Sequence, residues 1–333
     1  MSKSPRYVSV APRAVFSASA LETLERLPAL LILDGSTPLS QDQLFEFVGS
    51  MEGLLVDAID PVDRQLIEMS PNLKVISSMG AGYDNVDVAA ATERGILVCN
   101  APGFSTENVA DHAFGLMTLI ARRMLEHNQH LREGRFQDVH SQVIFGHRVS
   151  GATIGIVGMG AIGTAVARRA AAFGMRILYC GRSRKLATEA ATGAEFTELD
   201  TLLRSSDFVT FHTELTAETS GMVGERELSL MKPTAILINT SRGGLVETDA
   251  LTEALREGRI LGAGLDVTDP EPLPPDHPLL ELDNVFITPH TAFATHEALA
   301  AITEAAAQSL LDVHDGRRPR FLVNPEVARG FEN

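Results

Sequence analysis

Three residues that can do acid–base and anion chemistry stand just after apolar, strand-like runs of the sequence. They are Arg242 in INTSRGG, Glu271 in DVTDPEP and His290 in ITPH, and the runs before them are 235–239, 261–267 and 284–288. In a parallel sheet with crossover helices, the carboxyl ends of the strands share one edge, and open α/β folds bind ligands at that edge. The sequence therefore predicts that a cation, a carboxylate and an imidazole converge on one cleft.

These side chains suit the reduction of a ketone. Hydride addition builds negative charge on the carbonyl oxygen, so a donor must polarise that oxygen and an acid must deliver a proton. His290 can be the acid, because the reference pKa of histidine is about 6.5. A carboxylate at Glu271 would fix the tautomer of the ring and favour the imidazolium. Arg242 is permanently cationic, and its forked guanidinium can bind a carboxylate and a carbonyl oxygen together.

Each of the three residues also has a purely structural alternative. Arg242 can cap a helix, Glu271 can be an exposed acid in a Pro-rich loop, and His290 can satisfy backbone groups in a tight turn. Their placement at three consecutive strand ends beside a nucleotide motif favours the chemical interpretation. The other histidines lack this support, and those at 112, 127, 130, 140 and 147 are interpreted as solvated or packed.

The nucleotide motif is GIVGMGAIG, in which Gly158, Gly160 and Gly163 satisfy G-x-G-x-x-G directly after the strand-like run 153–157. The first glycine permits a tight turn, the second lets a pyrophosphate approach the backbone, and the third allows close packing of helix on strand. Ala161 and Ile162 begin the helix whose N–H groups and dipole would face the phosphates. The motif therefore predicts a dinucleotide cofactor.

Cofactor preference is expected to depend on the end of the next strand, residues 176–180. NAD sites place an Asp or Glu there to accept from the ribose 2′-hydroxyl, but this chain has Arg182, Ser183 and Arg184. These residues can bind a 2′-phosphate by charge-assisted hydrogen bonds. The sequence predicts a preference for NADP(H) with NAD(H) left open, and the alternative is a solvated basic turn.

Composition limits the class of partner. A chain of 333 residues suits about two domains, and its net charge of −15 argues against nucleic acid and anionic membranes as partners. Small molecules are the better expectation. Cys99 and Cys180 lack metal-ligand spacing, and the N-terminus has no apolar signal-peptide core, so we expect no metal and a cytoplasmic protein.

Strand-like and helix-like patterns alternate along the chain, which predicts two α/β domains. Six apolar runs after residue 150 match the full doubly wound sheet. Helical patterns at 108–122 and 295–313 bridge the two halves, and the ending VNPEVARG is expected to return to the first half. The predicted domains are 1–104 (substrate domain, first part), 105–292 (cofactor domain) and 293–333 (returning helix and the rest of the substrate domain).

The chain resembles the D-isomer-specific 2-hydroxyacid dehydrogenases over nearly its whole length. The matching stretches are SMGAGYDNVD, VCNAPGFSTENVAD, TIGIVGMGAIG, LINTSRGGLVE, GAGLDVTDPEPL and TPHTAFAT. The resemblance implies a Rossmann cofactor domain inserted in a flavodoxin-like substrate domain, usually as a homodimer. It also implies hydride transfer between NAD(P)H and a 2-oxo acid.

The resemblance also implies roles for individual residues. Arg242, Glu271 and His290 take the catalytic roles, Asp266 meets the nicotinamide carboxamide, and His212 and Thr240 lie near the cofactor. Backbone near Met79, Gly80 and Ala81 is implied to grip the substrate carboxylate. The chain departs from the family where a proline is replaced by Glu214.

A reductase for small 2-oxo acids such as glyoxylate or hydroxypyruvate is the leading hypothesis for the function. Phosphorylated substrates are disfavoured because residues 55–60 contain no arginine, and formate oxidation is disfavoured because Glu271 is retained. A 2-ketogluconate-type or D-lactate-type dehydrogenase is the alternative within the enzyme class. The alternative from another class is a corepressor-like NAD(P)-sensing protein, which would bind cofactor tightly without turning over any 2-oxo acid.

Overall fold

The computed structural model describes residues 5–33, 45–47, 49–57, 59–135 and 144–328. The chain divides into two compact units, of which the first combines Met1–Ser105 with Ala294–Asn333 and the second is Thr106–Phe293. The second unit is thus inserted along the chain within the first. Each unit contains one parallel sheet.

The sheet of the first unit has five parallel strands in the order β2-β1-β3-β4-β5. The strands are β1 Tyr7–Ser9, β2 Leu30–Ile32, β3 Gly53–Val56, β4 Val75–Ser78 and β5 Leu97–Cys99. Within the described residues, the helices of this unit are Ala18–Leu24, Arg64–Met69, Val88–Glu93 and His296–His314, with short 3-10 turns at Arg13–Val15 and Pro325–Ala328. Ser17, Asp63, Asp87 and Thr295 cap the four helices by accepting a backbone N–H, which explains where these helices begin.

The C-terminal segment packs on the first unit through backbone and side-chain hydrogen bonds. Val323 N–H donates to the carbonyl of Val98 at 2.8 Å. The buried Asn324 accepts from Val98 N–H at 2.8 Å and donates to the carbonyl of Ile96 at 2.9 Å. Residues 323 and 324 therefore lie against β5, in agreement with the predicted return of the segment VNPEVARG to the first half, whose residues 329 and 330 lie outside the described ranges.

The sheet of the second unit has seven parallel strands in the order β12-β11-β10-β9-β6-β7-β8. The strands are β6 Thr153–Val157, β7 Arg176–Cys180, β8 Glu195–Phe196, β9 Phe208–Phe211, β10 Ile236–Asn239, β11 Gly262–Leu265 and β12 Val285–Ile287. The helices are Thr106–Ala121, Met124–Arg132, Ala161–Ala172, Leu186–Thr192, Leu199–Ser205, Glu225–Leu230 and Thr248–Arg256, with 3-10 turns at Gly243–Leu245 and Pro278–Glu281. The chain winds outward from β6 in both directions, so the switch point lies between β6 and β9.

Two apolar layers cover the two faces of this sheet. Ile236 and Ile238 of β10 belong to one buried cluster, and Leu237 between them belongs to the other. The helix Thr106–Ala121 contributes Phe114 and Met117 to the first cluster. A parallel sheet covered on both faces needs apolar residues at nearly every strand position, which is why these strands appear in the sequence as continuous apolar runs.

The predicted fold class is confirmed, with one strand more than the sequence indicated. The added strand β8 has only two residues, both exposed, so it carries no apolar run. The helix predicted at 108–122 ends at Ala121, because Arg123 adopts a left-handed conformation (φ 50°) before the helix Met124–Arg132 begins. None of the helices in the described ranges is long and apolar enough to cross a membrane.

Candidate active site

The three residues predicted to carry out the acid–base and anion chemistry follow three neighbouring strands of the second unit. β10 pairs with β11, and β11 pairs with β12, all in parallel. Arg242, Glu271 and His290 come after β10, β11 and β12 respectively, so they share the carboxyl edge of the sheet. All three residues lie within the second unit.

His290 and Glu271 form a hydrogen-bonded pair. Nδ1 of His290 lies 2.8 Å from Oε1 of Glu271, and each side chain is about a quarter exposed. Burial lowers the pKa of His290, but the hydrogen bond and the negative charge of Glu271 outweigh burial, so the pKa is raised above its ordinary value. Because the carboxylate accepts from Nδ1–H, Nε2 is the ring nitrogen that can exchange a proton with a ligand.

The backbone of His290 is held in the left-handed region, with φ 53°. This conformation is unfavourable for a residue with a side chain, so it persists only where the surroundings impose it. Here the N–H of His290 donates to the carbonyl of Asp266 at 2.7 Å and to that of Thr288 at 3.0 Å. The turn 288–292 is therefore fixed to the end of β11.

The side chain of Asp266 holds the same turn from inside the protein. It is 1% exposed, and its Oδ1 accepts from the hydroxyl of Thr288 at 2.5 Å and from Thr291 N–H at 2.8 Å. Its Oδ2 accepts from Ala292 N–H at 2.8 Å. The resemblance assigns Asp266 to the nicotinamide carboxamide; that role stays a prediction, and it would use the remaining acceptor capacity of Oδ2.

Arg242 lies close to the loop that carries Glu271. Its carbonyl accepts from Asn239 Nδ2 at 2.8 Å, and its Nη1 donates to the carbonyl of Ser241 at 2.9 Å. A Cβ on the next residue, Gly243, would overlap the carbonyl of Thr268, so only glycine allows this close approach of the two loops. The positive charge of Arg242 acts to lower the pKa of His290, which shows that the two groups are within electrostatic reach.

The three motif glycines differ in what surrounds them. Gly158 has φ +94°, and a Cβ there would lie 2.5 Å from the carbonyl oxygen of His212; a Cβ on Gly163 would overlap the carbonyl oxygen of Gly158. A Cβ on Gly160 would meet nothing within 4 Å. Gly160 also precedes the helix Ala161–Ala172 and has no side chain to cap it. The first and third glycines are thus required by the fold, whereas the second leaves open space at a helix N-terminus.

Two buried polar atoms near this edge have no hydrogen-bond partner among the described residues. They are Nδ1 of His212 and Oγ1 of Thr240. Nε2 of His212 lies 2.9 Å from the hydroxyl of Thr210, and burial lowers the pKa of His212 to about 3, so the ring is neutral. Buried polar atoms usually have a partner, which makes these two candidates for ligand contact.

Arg182 and Arg184, the two arginines predicted to bind a 2′-phosphate, already pair with carboxylates. Arg184 makes a two-pronged ion pair with Glu189, at 3.1 Å from Nε and 2.6 Å from Nη2. Arg182 is 91% exposed, and its nearest carboxylate is Glu214 at 3.4 Å. Ser183 is exposed beside it. Arg182 is therefore much more accessible to a ligand than Arg184.

The loop Met79–Ala81 belongs to the first unit. Met79 N–H donates to the carbonyl of Val56 at 2.8 Å, Ala101 N–H donates to that of Gly80 at 2.7 Å, and Asn100 Nδ2 donates to that of Ala81 at 2.8 Å. With the carbonyls held in this way, no acceptor among the described residues takes the N–H groups of Gly80 and Ala81. Backbone N–H groups of this kind can bind an anion. The contact with the substrate carboxylate that the resemblance implies stays a prediction.

Comparison with known proteins decides the family. Residues 114–292 match the model of the family "D-isomer specific 2-hydroxyacid dehydrogenase, NAD binding domain". A glyoxylate reductase of Korarchaeum cryptofilum is 47% identical over 293 residues, which cover 88% of this chain and 88% of that protein. This chain belongs to the D-isomer-specific 2-hydroxyacid dehydrogenases.

Solved structures agree with this assignment. The TT0316 protein from Thermus thermophilus has a TM-score of 0.86 at 41% identity, covering 95% of this chain and 99% of that one. The NADPH-dependent glyoxylate/hydroxypyruvate reductase of Sinorhizobium meliloti, in complex with NADP and malonate, has a TM-score of 0.83 at 29% identity, covering 99% of each chain. This dehydrogenase is therefore a nicotinamide-dependent oxidoreductase.

The dehydrogenase contains groups that fit a dinucleotide. The open space at Gly160 lies at the start of a helix whose first N–H groups need acceptors, and a pyrophosphate supplies them. Nδ1 of His212 and Oγ1 of Thr240 are two further buried polar atoms that lack a partner among the described residues. Among the described residues there is no cluster of three or more His, Cys, Asp or Glu side chains that could hold a metal ion.

Replacing the motif glycines by alanine should separate cofactor binding from folding in this dehydrogenase. Gly160→Ala has room and an ordinary φ of −77°, so we expect stability within about 0.5 kcal/mol of the wild type. Nucleotide affinity should fall about tenfold or more, because the methyl group fills the space of the pyrophosphate. Gly163→Ala should instead lower stability by roughly 1–3 kcal/mol. Thermal unfolding and fluorescence titration with NADPH measure both effects, and equal loss of stability in the two variants would contradict this assignment.

Glu271→Gln should shift the pH dependence of catalysis. Glutamine keeps an acceptor for Nδ1–H of His290 but removes the negative charge, so burial and Arg242 then lower the pKa of His290. On the prediction that His290 donates the proton in reduction and accepts it in oxidation, the loss of the reduction rate with rising pH should begin at lower pH. Oxidation needs the neutral ring, so its acidic limb should also move to lower pH. Profiles of kcat against pH check this, with Asp276→Asn in the same loop as the control.

Proposed function

We propose that this enzyme reduces small 2-oxo acids, with glyoxylate or hydroxypyruvate as substrates, to the 2-hydroxy acids, with the D configuration where the product is chiral, and that it prefers NADPH. The observation that carries the proposal is the 2.8 Å pair of His290 and Glu271 at the edge that also carries Arg242. Curated relatives named glyoxylate reductase support the substrate class. A homodimer and a cytoplasmic location remain predictions.

In the proposed reaction, His290 is the proton donor. Its raised pKa keeps a larger fraction of the ring protonated near neutral pH, and Glu271 fixes the tautomer that presents Nε2 to the substrate oxygen. After the proton has left, the neutral ring keeps its Nδ1–H bond to Glu271, so it remains oriented. In the reverse direction the same Nε2 accepts the proton of the substrate hydroxyl.

Arg242 is proposed to bind the substrate through its carboxylate and to polarise the carbonyl oxygen. A guanidinium can donate two parallel hydrogen bonds, which orient the acid as well as attract it. We propose the N–H groups of Gly80 and Ala81 as further donors to the carboxylate. These charged and dipolar groups favour anionic 2-oxo acids over neutral ketones.

The bound nicotinamide cofactor supplies the hydride that adds to the carbonyl carbon. The residues proposed to hold the cofactor are the motif Gly158, Gly160, Ala161, Ile162 and Gly163, together with Arg182, Ser183, Arg184, His212, Thr240 and Asp266. The helix that begins at Ala161 is expected to direct its N–H groups at the pyrophosphate.

The preference for NADPH is proposed to depend mainly on Arg182 and Ser183. Arg184 is already held by Glu189, whose carboxylate also accepts from the hydroxyl of Tyr179 at 2.5 Å. The hydrogen bond from Arg184, followed by that from Tyr179, lowers the pKa of Glu189, so this residue stays anionic. Arg184 therefore orders the loop, whereas the exposed Arg182 can turn from Glu214 to a phosphate.

A panel of 2-oxo acids assayed with both cofactors tests the proposed function. We expect turnover of glyoxylate and hydroxypyruvate, with a higher kcat/KM for NADPH than for NADH.

His290→Ala should lose about 100-fold or more in kcat while its affinity for NADPH stays nearly unchanged, because a general acid contributes roughly 10²–10⁴-fold. Wild-type turnover in His290→Ala would refute the role of His290. Tight cofactor binding with no turnover of any 2-oxo acid would favour a sensor instead.

Two substitutions at the Arg182–Glu214 pair test the basis of cofactor preference. Arg182→Ala should lower kcat/KM for NADPH by about tenfold and leave NADH nearly unaffected, since one charge-assisted bond to the phosphate is lost. Glu214→Gln should raise kcat/KM for NADPH by up to about fivefold, because exposed ion pairs contribute about 0–1 kcal/mol and this pair competes with the phosphate. Glu281→Gln, an exposed acid in the 3-10 turn Pro278–Glu281, is the matched control. A preference that Arg182→Ala leaves unchanged would contradict this assignment.

A further inference from the structure

His112 makes a contact that the catalytic scheme does not use. It lies in the helix Thr106–Ala121, and its Nε2 is 3.0 Å from the hydroxyl oxygen of Thr288. Thr288 is far from it in sequence and stands two positions before His290 in the turn after β12. Nε2 of His112 is also 3.7 Å from Oδ1 of Asp266. The helix is thus tied to the turn that carries the proposed proton donor.

The direction of these hydrogen bonds follows from the number of protons. The hydroxyl of Thr288 has one proton, and at 2.5 Å from Oδ1 of Asp266 it donates that proton to the carboxylate. The hydroxyl oxygen can then only accept from His112. Nε2 of His112 therefore carries a proton, and the chain runs from His112 to Thr288 to Asp266 without a break.

Asp266 passes this restraint to His290. Its carboxylate accepts the N–H groups of Thr291 and Ala292, which directly follow His290, and its carbonyl accepts the N–H of His290 itself. These bonds hold the left-handed backbone of His290, so the direction of its ring depends on where Asp266 sits. Thr288 and His112 restrain Asp266 from the opposite side.

The helix Thr106–Ala121 is itself well packed, so a contact from it can restrain Thr288 and Asp266. It spans 16 residues, and Val109, Ala110, Ala113, Phe114, Leu116, Met117 and Ala121 are buried. Nε of Arg169 donates to the carboxylate of Asp111, the residue before His112, at 2.7 Å. His112 is about a quarter exposed on its side chain, so it can be replaced without emptying the core.

We propose that His112 is a positioning residue that orients the proton donor through Thr288 and Asp266. The inference rests on the proposed function of His290 as general acid. His112 does not touch the substrate in this scheme. Loss of its bond to Thr288 frees the hydroxyl to rotate and loosens Asp266, which then holds the turn 288–292 less tightly.

The test compares His112→Ala, His112→Gln and Thr288→Val in the full-length holoenzyme. We expect kcat for glyoxylate reduction to fall about 10- to 100-fold in His112→Ala, because misplacement by about 1 Å can cost about that much. KM for NADPH should change much less than kcat, because Asp266 is only one of the residues proposed to hold the cofactor. His112→Gln should recover most of kcat, since its amide can still donate to Thr288. Thr288→Val should lose at least as much kcat as His112→Ala, because it also removes the hydrogen bond to Asp266. The double variant should lose no more than Thr288→Val alone, because both changes break the same chain.

His127→Ala is the matched control, because His127 is an exposed histidine in the neighbouring helix Met124–Arg132 and should leave kcat unchanged. Wild-type kcat in His112→Ala would overturn the proposal while leaving the function of His290 intact. Equal losses in His112→Ala and His112→Gln together with a lower Tm would also overturn it, since they would indicate packing rather than a hydrogen bond.

A measurement independent of turnover separates this inference from the proposed function. In the wild type, the proton on Nδ1 of His290 should give a downfield NMR signal, protected by the 2.8 Å bond to Glu271 and absent in His290→Ala. In His112→Ala this signal should broaden and exchange faster with solvent. An unchanged signal would overturn the positioning role even if no 2-oxo acid proved to be a substrate.

Discussion

The buried carboxylate of Asp266 is the constraint on which the arrangement of the site depends. It is 1% exposed and accepts three hydrogen bonds from the turn 288–292, while its backbone carbonyl accepts a fourth. Hydrogen bonds to a charged group contribute about 1.5–3 kcal/mol each, whereas a left-handed residue costs of order 1–2 kcal/mol. The bonds therefore outweigh the strain, and His290 can be held in a conformation that it would not adopt alone.

This arrangement explains why the reactive groups come from loops and yet are well placed. Arg242, Glu271 and His290 all lie beyond strand ends, but each loop is bound to its neighbour close to the sheet. Asp266 binds the turn after β12, and the close approach at Gly243 brings the loop after β10 against the loop after β11. The parallel register of β10, β11 and β12 thus determines where the loops place Arg242, Glu271 and His290. Site residues on loops gain the precision of the scaffold in this way.

Structural features that depend on residues close together in the sequence could be predicted. The buried strands of a covered parallel sheet are continuous apolar runs, the glycine motif marks a strand, turn and helix, and the residues after each strand must share an edge. The strand β8 was missed because two exposed residues form no such pattern. The pairing of Glu271 with His290 was anticipated from chemistry rather than from spacing.

Contacts between distant positions could not be predicted in the same way. His112 and Thr288 meet across 176 positions, and a lone histidine in a helix is more often solvated or packed. The pairing of Arg184 with Glu189 has a local signal, since the two residues are five positions apart, but the same arginine also suits a phosphate. Charge composition indicates which ligand a loop can attract, but only the folded arrangement shows which charges are already paired.

The electrostatic balance at His290 links the structural constraint to the chemistry. Burial and Arg242 lower its pKa, whereas Glu271 and Asp266 raise it, and the carboxylates prevail. In the proposed reaction Arg242 binds an anionic acid, yet its positive charge lowers the pKa of the nearby His290. Glu271 accepts a hydrogen bond from Nδ1 of His290 at 2.8 Å. This bond and the negative charge of Glu271 raise the pKa of His290 by more than burial and Arg242 lower it. In the proposed reaction the site can therefore attract an anion and still keep His290 protonated, and the second of these depends on Glu271.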